Sequence, residues 1–421
     1  MPWFDNDQVD SEAVEMQPLQ GLGSEVDLAM TVDQIRLRDI ESEMNKRLDA
    51  KLLQNPDKLP TAVWFILPSE LGERFCFYGI TPILKNFLKY QLGYTRNVDA
   101  DMLYHVFTGL AYFTPLIGAL ISDSYLDKYN TIVTLSTIYI LGLGVLTLAS
   151  WPTFMDAPTT KIPRTGPLLG LLLICIGTGG IKPCVSAHGG DQFLEVQKLG
   201  LQKFYNYFYM TINVGALVSS YASPAVAKIT LYRFPQETLD EWAKIPLKPD
   251  VGNGYPLAWL MLAVSMTVAL GVFVVGRKHY RVVPPAGKFI LLDHISISCT
   301  YLSYLWTRGR ETAFELSSLK YGEGMVEEML DLVQVIFALA PAPIFWMAFG
   351  QNGSTWQDMG DQMLIPFGGD AKTSFFNSET TNSIWNPFFI ITISPLMANY
   401  LYPWIARRFG FVDLVVLSKN D

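Results

Sequence analysis

The stretch FILPSELGERFCFYG, residues 65–79, is mostly apolar, yet it carries Glu70, Glu73 and Arg74 within about one helical turn. Steps of three and four residues link these three to Phe77 and Tyr78, so all five share one helix face. A lone charge at the centre of a bilayer costs roughly 2.5–3.5 kcal/mol on insertion scales. If the segment crosses a membrane, its charges must therefore face one another or a wet cavity. An inert salt bridge accounts for Glu70 with Arg74 but leaves Glu73 without a purpose, and a working site gives all three a role.

The rest of the chain supplies the membrane. Of 421 residues, 50% are hydrophobic and 17% charged, well under the roughly 25% charged of soluble domains. Apolar runs of about 20 residues recur, each long enough to span ~30 Å of hydrocarbon. They predict spans near 61–91, 103–124, 131–150, 167–188, 203–227, 255–276, 329–350 and 384–405, eight in all. Pro68, Pro82, Pro115 and Pro183 fall inside them and should kink or break their helices by removing hydrogen bonds.

The net charge of −8 belongs largely to a tail: residues 1–60 hold thirteen acidic and six basic side chains. Residues 1–30 read as disordered. Residues 31–54 place Leu37, Ile40, Met44, Leu48 and Leu52 every three or four positions, an amphipathic helix on a solvated surface. No basic run suggests nucleic acid. Cys76, Cys175, Cys184 and Cys299 lack the paired spacing of a disulfide framework or metal site. No nucleophile–base pair or phosphate loop points to an enzyme, and no cofactor is implied.

Short connections carrying Lys128, Lys198 and Lys203, a polar segment at 277–325 and the pair Arg407–Arg408 alternate onto one side with the N-terminal flank. The excess of Lys and Arg places the N-terminus in the cytosol. Basic residues on the opposite loops, Arg96 and Lys161 among them, dilute the asymmetry.

A further cation lies in GTGGIKPCVSAHGGDQF, residues 177–193. Gly177, Gly179 and Gly180 permit close helix approach. Lys182 either joins the carboxylates of the first span or snorkels to the interface, although the apolar run 168–176 beside it argues against the second. His105 and His188, taken alone, read as histidines near span ends.

Several long motifs resemble those of the proton-coupled oligopeptide transporters, a branch of the major facilitator superfamily. ELGERFCFYG (70–79) is similar to that family's ExxERFxYYG motif. YHVFTGLAYFTPLIGALISDSYLDKYNTI (104–132) resembles its second helix and the loop after it. GTGGIKPCVSAHGGDQF and FYNYFYMTINVGA (204–216) resemble its signature regions, and APIFWMAFGQNGSTW (342–356) and IWNPFFIITISPL (384–396) its seventh and eighth helices. The resemblance covers about residues 60–410.

It implies an all-α membrane protein of the major facilitator type, with a complete first six-helix bundle (60–276), a cytosolic linker (277–328) and about two helices of the second bundle (329–421), behind an acidic cytosolic tail (1–59). It implies proton-driven symport of di- and tripeptides across a membrane, the plasma membrane by analogy, with protons, small peptides and the lipid bilayer as partners. Glu70, Glu73, Arg74, Lys182 and His105 would couple to protons, with Lys182 pairing with the cluster. Arg74, Tyr78, Lys182, Asn213 and Asn386 would contact substrate, and Asp123 would brace the cytoplasmic loop.

Phe77 departs from the motif's tyrosine, Asp127 from a glycine, and Gly350 from an acidic residue that serves gating in many members. The family has twelve helices in two bundles, and one bundle plus two helices could hardly rock around a solute. The rival expectations are a truncated form that binds or regulates a full-length partner, and transport of another anionic solute such as nitrate.

Overall fold

The computed structural model describes residues 42–53, 58–94, 96–151, 165–231, 253–285, 290–361, 378–401, 404–405 and 408. The tail read as disordered lies outside these residues, as do Leu37 and Ile40 of the amphipathic pattern and Arg407 of the basic pair. The chain divides into two compact units, Met1–Lys51 and Leu52–Asp421. In the first, residues 42–51 are helical, with an exposed Arg47–Glu43 pair one turn apart at 3.4 Å.

In the second unit, twelve α-helices carry the described residues: α1 Val63–Asn86, α2 Asn97–Ile121, α3 Lys128–Ala149, α4 Thr165–Gly190, α5 Lys198–Ala227, α6 Tyr255–Val275, α7 Ile290–Arg308, α8 Arg310–Tyr321, α9 Glu323–Leu339, α10 Ala342–Gly350, α11 Thr355–Asp361 and α12 Ser378–Leu396. No strand occurs among them. The first six coincide with the first six predicted spans. Among the described residues four helices are long and apolar enough to cross a membrane, Val98–Leu126, Lys128–Ala149, Thr165–Gly190 and Tyr255–His279, or five if the bent pair Glu323–Leu339 and Ala342–Gly360 is one span.

α1 misses that standard because Glu70, Glu73, Arg74 and Lys85 interrupt its apolar surface, and all four are buried among protein. The seventh predicted span is not one straight helix. Glu323–Leu339 and Ala342–Gly360 meet at a 45° bend, where Pro341 starts the second segment and cannot donate the hydrogen bond that would continue the first. The polar segment 277–325 is not a plain connector either. α7 and α8 fold back on each other around Ile297, Tyr301 and Ala313, with Val326 and Met329 of α9 closing a small second core.

None of the four prolines breaks its helix: α1 runs on through Pro68 and Pro82, α2 through Pro115 and α4 through Pro183. Around a spanning helix, neighbouring helices hold the chain in place and water does not compete for the opened backbone bonds.

α4 is the central strut, packed along α3 and α2, while α1 lies between α5 and α6. The glycines of the 177–193 motif explain how close α4 comes. A Cβ on Gly118 of α2 would stand 2.5 Å from the Gly180 Cα, and one on Gly177 would stand 2.7 Å from the Tyr139 backbone nitrogen of α3. No side chain could fit at these crossings, which bring Lys182 down beside α2. Trp259, Tyr139, Phe204 and Phe273 fill the rest of the core.

The α2–α3 turn carries the chain's departure at 127. Asp127 sits at φ 60°, where glycine is at ease and other residues are strained by about 1–3 kcal/mol. Its carboxylate compensates by accepting the Asn130 backbone N–H at 2.9 Å and the Asn130 side-chain amide at 2.6 Å, capping α3. Glycine at an N-cap costs only a few tenths of a kcal/mol relative to aspartate, whereas alanine costs about 1. Asp127→Gly should therefore raise the thermal unfolding midpoint, a net gain of about 1 kcal/mol. Asp127→Ala should lower it. An Asp127→Gly midpoint at or below that of the native chain would show that the turn is unstrained.

Candidate functional site

α1 presents its ionisable face inward. Arg74 Nε lies 2.6 Å from Glu70 Oε1 and 3.0 Å from Glu73 Oε2, so one guanidinium is shared by two carboxylates. Glu70 and Glu73 are essentially without solvent contact, and Arg74 is 8% exposed. The Thr178 hydroxyl of α4 donates to Glu73 Oε1 at 3.3 Å, while Glu70 Oε2 has no hydrogen-bond partner among the described residues. α5 crosses here through Gly215, whose small size lets it rest against Leu71 O and Arg74 Cβ. The spacing of the three charges on one face is thus realised as a single cluster.

Lys182 does not join it. No carboxylate stands within ion-pair distance of its ammonium among the described residues, contrary to the expected pairing. Instead Nζ lies 3.5 Å from the centroid of the Phe77 ring and 4.3 Å from that of Tyr112. The physical reason is that Arg74, on the carboxylates' own helix, reaches both of them first, and the α4 crossing delivers Lys182 one turn further along α1, among aromatic rings.

The other expected residues are spread out. Tyr78 is half-buried, with its ring edge-on to Phe77 at 5.5 Å. Asn213 is buried on α5, but its amide donates to Tyr209 O of its own helix at 2.8 Å. Asn386 lies exposed on α12, with no contact to the cluster described. His105 stands in a different place, where Nε2 meets the Ser354 hydroxyl at 3.0 Å. His188 is buried in an aromatic setting with Phe273 and Tyr280.

His105 belongs to a second ionic centre that spacing did not reveal. The Lys85 ammonium, 1% exposed, lies 2.7 Å from Asp101 Oδ1 of α2 and 2.7 Å from Asp358 Oδ1 of α11, and donates to Ser354 O at 2.8 Å. It ties the end of α1 and the start of α2 to the segment after α10. Gly353 presses against the Tyr104 hydroxyl, leaving no room for a side chain. The missing acid at Gly350 is therefore no loss of an inter-helix ion pair, since Asp358 supplies one. The one signal in the sequence was a lysine twelve residues beyond Glu73, inside the same apolar run.

At the opposite ends of these helices, Lys128 of α3 pairs with Asp191 at 2.6 Å. Arg281 Nη1 donates to Asp191 O at 3.2 Å, and Gln192 exchanges two hydrogen bonds with the Arg281 backbone. Asp123, the residue expected to brace this side, is exposed.

Comparison with known proteins places these features in context. The PTR2 family model, described as the POT family, matches residues 129–419. The chain is 35% identical over 359 residues to "Peptide transporter family 1" of Drosophila melanogaster, covering 84% of this chain and 44% of that protein. It is 34% identical over 361 residues to "Solute carrier family 15 member 1" of Oryctolagus cuniculus, covering 83% and 48%. The crystal structure of the POT family transporter PepTSo superposes with a TM-score of 0.59 at 26% identity, over 84% of this chain and 72% of that one. The chain spans about half the length of the curated relatives it matches.

Proposed function

The chain belongs to the POT family, and we propose from this that it performs proton-coupled symport of di- and tripeptides across a membrane, with its N-terminus in the cytosol of a plasma-membrane protein. Members of the family are integral membrane transporters of the major facilitator fold, and the all-helical architecture here agrees with that. The observation that carries the reading is Arg74 held between Glu70 and Glu73 inside α1. The buried guanidinium attracts both ionised carboxylates but balances the charge of only one.

Protonation of either carboxyl removes half of that attraction. Arg74 then becomes available to a substrate carboxylate, with Lys182 as the second cation beside it. In this reading Tyr78 of α1 and Asn213 of α5 receive peptide polar groups, and Asn386 would have to approach from α12. Opening of the Lys85–Asp358 contact, which ties α1 to α11, would admit solute. Release of the peptide and proton restores the Glu70–Arg74–Glu73 cluster.

The test is uptake of a labelled dipeptide into proteoliposomes holding the intact chain, driven by an acid-outside gradient. Glu73→Gln and Lys182→Ala should each abolish gradient-driven uptake, a fall of at least tenfold, while peptide exchange survives in one of them. Undiminished gradient-driven uptake in both variants would overturn the mechanism. Competition by unlabelled dipeptide but not by nitrate is expected, and the reverse order would assign the site to an inorganic anion.

A further inference from the structure

The Lys182 ammonium poses a problem that ion pairing does not solve. Its nitrogen has no solvent contact and no hydrogen-bond partner among the described residues, although carboxylates stand on the neighbouring helix. What it has is two ring faces, Phe77 at 3.5 Å and Tyr112 at 4.3 Å from Nζ. The rings themselves meet edge to face, 6.2 Å apart at 83°. Phe77 is 3% exposed and forms the buried floor, while Tyr112 is 58% exposed and forms the open wall.

A cation over an aromatic face is attracted by the ring quadrupole without any atom competing for its N–H groups. That hold is weaker than a buried ion pair and strengthens where the cation is desolvated. Phenylalanine at 77 suits the task better than the tyrosine of the family motif, because its edge offers no hydroxyl to which the ammonium could be committed. The neighbouring cluster completes the logic. Arg74 occupies Glu70 Oε1 and Glu73 Oε2, and Thr178, one turn before Lys182 on α4, occupies Glu73 Oε1. Two cations in one compartment thus have different direct contacts, Arg74 with carboxylates and Lys182 with rings.

We infer that Phe77 and Tyr112 are positioning residues forming an aromatic seat that keeps the Lys182 ammonium off the Glu70–Glu73 pair, uncommitted, for an incoming carboxylate. The seat separates the two jobs that a shared salt bridge would merge: Arg74 answers to protonation, and Lys182 answers to the solute. That the carboxylate is a peptide's rests on the transport reading above.

The experiment is ¹³C NMR of the intact chain in nanodiscs, produced with lysine ¹³C-labelled at Cε, with the Lys182 resonance assigned by its loss in Lys182→Arg. A methylene held beside two rings takes an upfield ring-current displacement. Phe77→Tyr should keep the displacement, Phe77→Leu should lose most of it, and Tyr112→Leu should reduce it. Because Tyr112 is exposed, its replacement opens no core cavity and serves if Phe77→Leu does not fold. A Lys182 resonance at the position of free lysine, or one that Tyr112→Leu and Phe77→Leu leave in place, overturns the seat. Addition of the dipeptide Ala-Ala should move the resonance downfield as the ammonium leaves the rings. A displaced resonance that Ala-Ala does not move upholds the seat and sinks the peptide reading instead.

Discussion

Lys85→Met should destabilise the chain by about 3–5 kcal/mol, because it strands charges that only this ammonium neutralises. In the native arrangement Asp101 and Asp358 each stand 2.7 Å from Nζ, and Ser354 O accepts a third contact at 2.8 Å. Methionine fills the volume of the lysine stem but leaves two partly buried carboxylates side by side, with repulsion added to desolvation. The unfolding midpoint in detergent should drop, and amide exchange should accelerate in residues 351–361, whose hold on α1 passes through this contact. Lys89→Met, one turn further on, makes the control: Lys89 is half-buried over Tyr90 and should change neither readout to that extent. The triple variant Lys85→Met/Asp101→Asn/Asp358→Asn should recover much of the stability, since neutralising a whole ionic group is far cheaper than halving it. A single Lys85→Met variant with native midpoint and exchange would show that the contact holds nothing together.

The second large effect is expected at the cluster itself. Arg74→Leu removes the one guanidinium serving both Glu70 and Glu73, leaving two carboxylates in a space closed to solvent. The expected loss is again about 3–5 kcal/mol, with gradient-driven dipeptide uptake abolished. Stability should return in Arg74→Leu/Glu70→Gln/Glu73→Gln, where nothing charged remains to be compensated, but uptake should not. That split separates the cluster's structural role from its role as the moving part. If the triple variant were no more stable than Arg74→Leu, the defect would lie in packing against Gly215 and not in charge.

Much of this was legible in the chain. Runs of apolar residues mark helices because a bilayer accepts only segments that satisfy their own backbone, and the first six appear where those runs lie. Glu70, Glu73 and Arg74 were legible as one group because residues three and four apart on a helix are neighbours whatever surrounds them. The glycines at 177–180 were legible as a crossing point, since removing side chains has no other evident use inside an apolar span. Illegible were the bend between α9 and α10, which falls inside one apolar run, and the hairpin of α7 on α8, whose partners are chosen by packing.

By itself, then, the sequence determined the all-helical membrane architecture and the existence of a buried charged face, because both follow from short-range periodicity and from the solvent the chain must meet. Only the tertiary structure decided which charge answers to which. Lys182 went to Phe77 and Tyr112 and not to Glu73, and Lys85 found its partners around Ser354, 269 positions away. Partners on different helices are selected by the depth and rotation of helix crossings, to within an ångström or two, and no local pattern of residues carries that information.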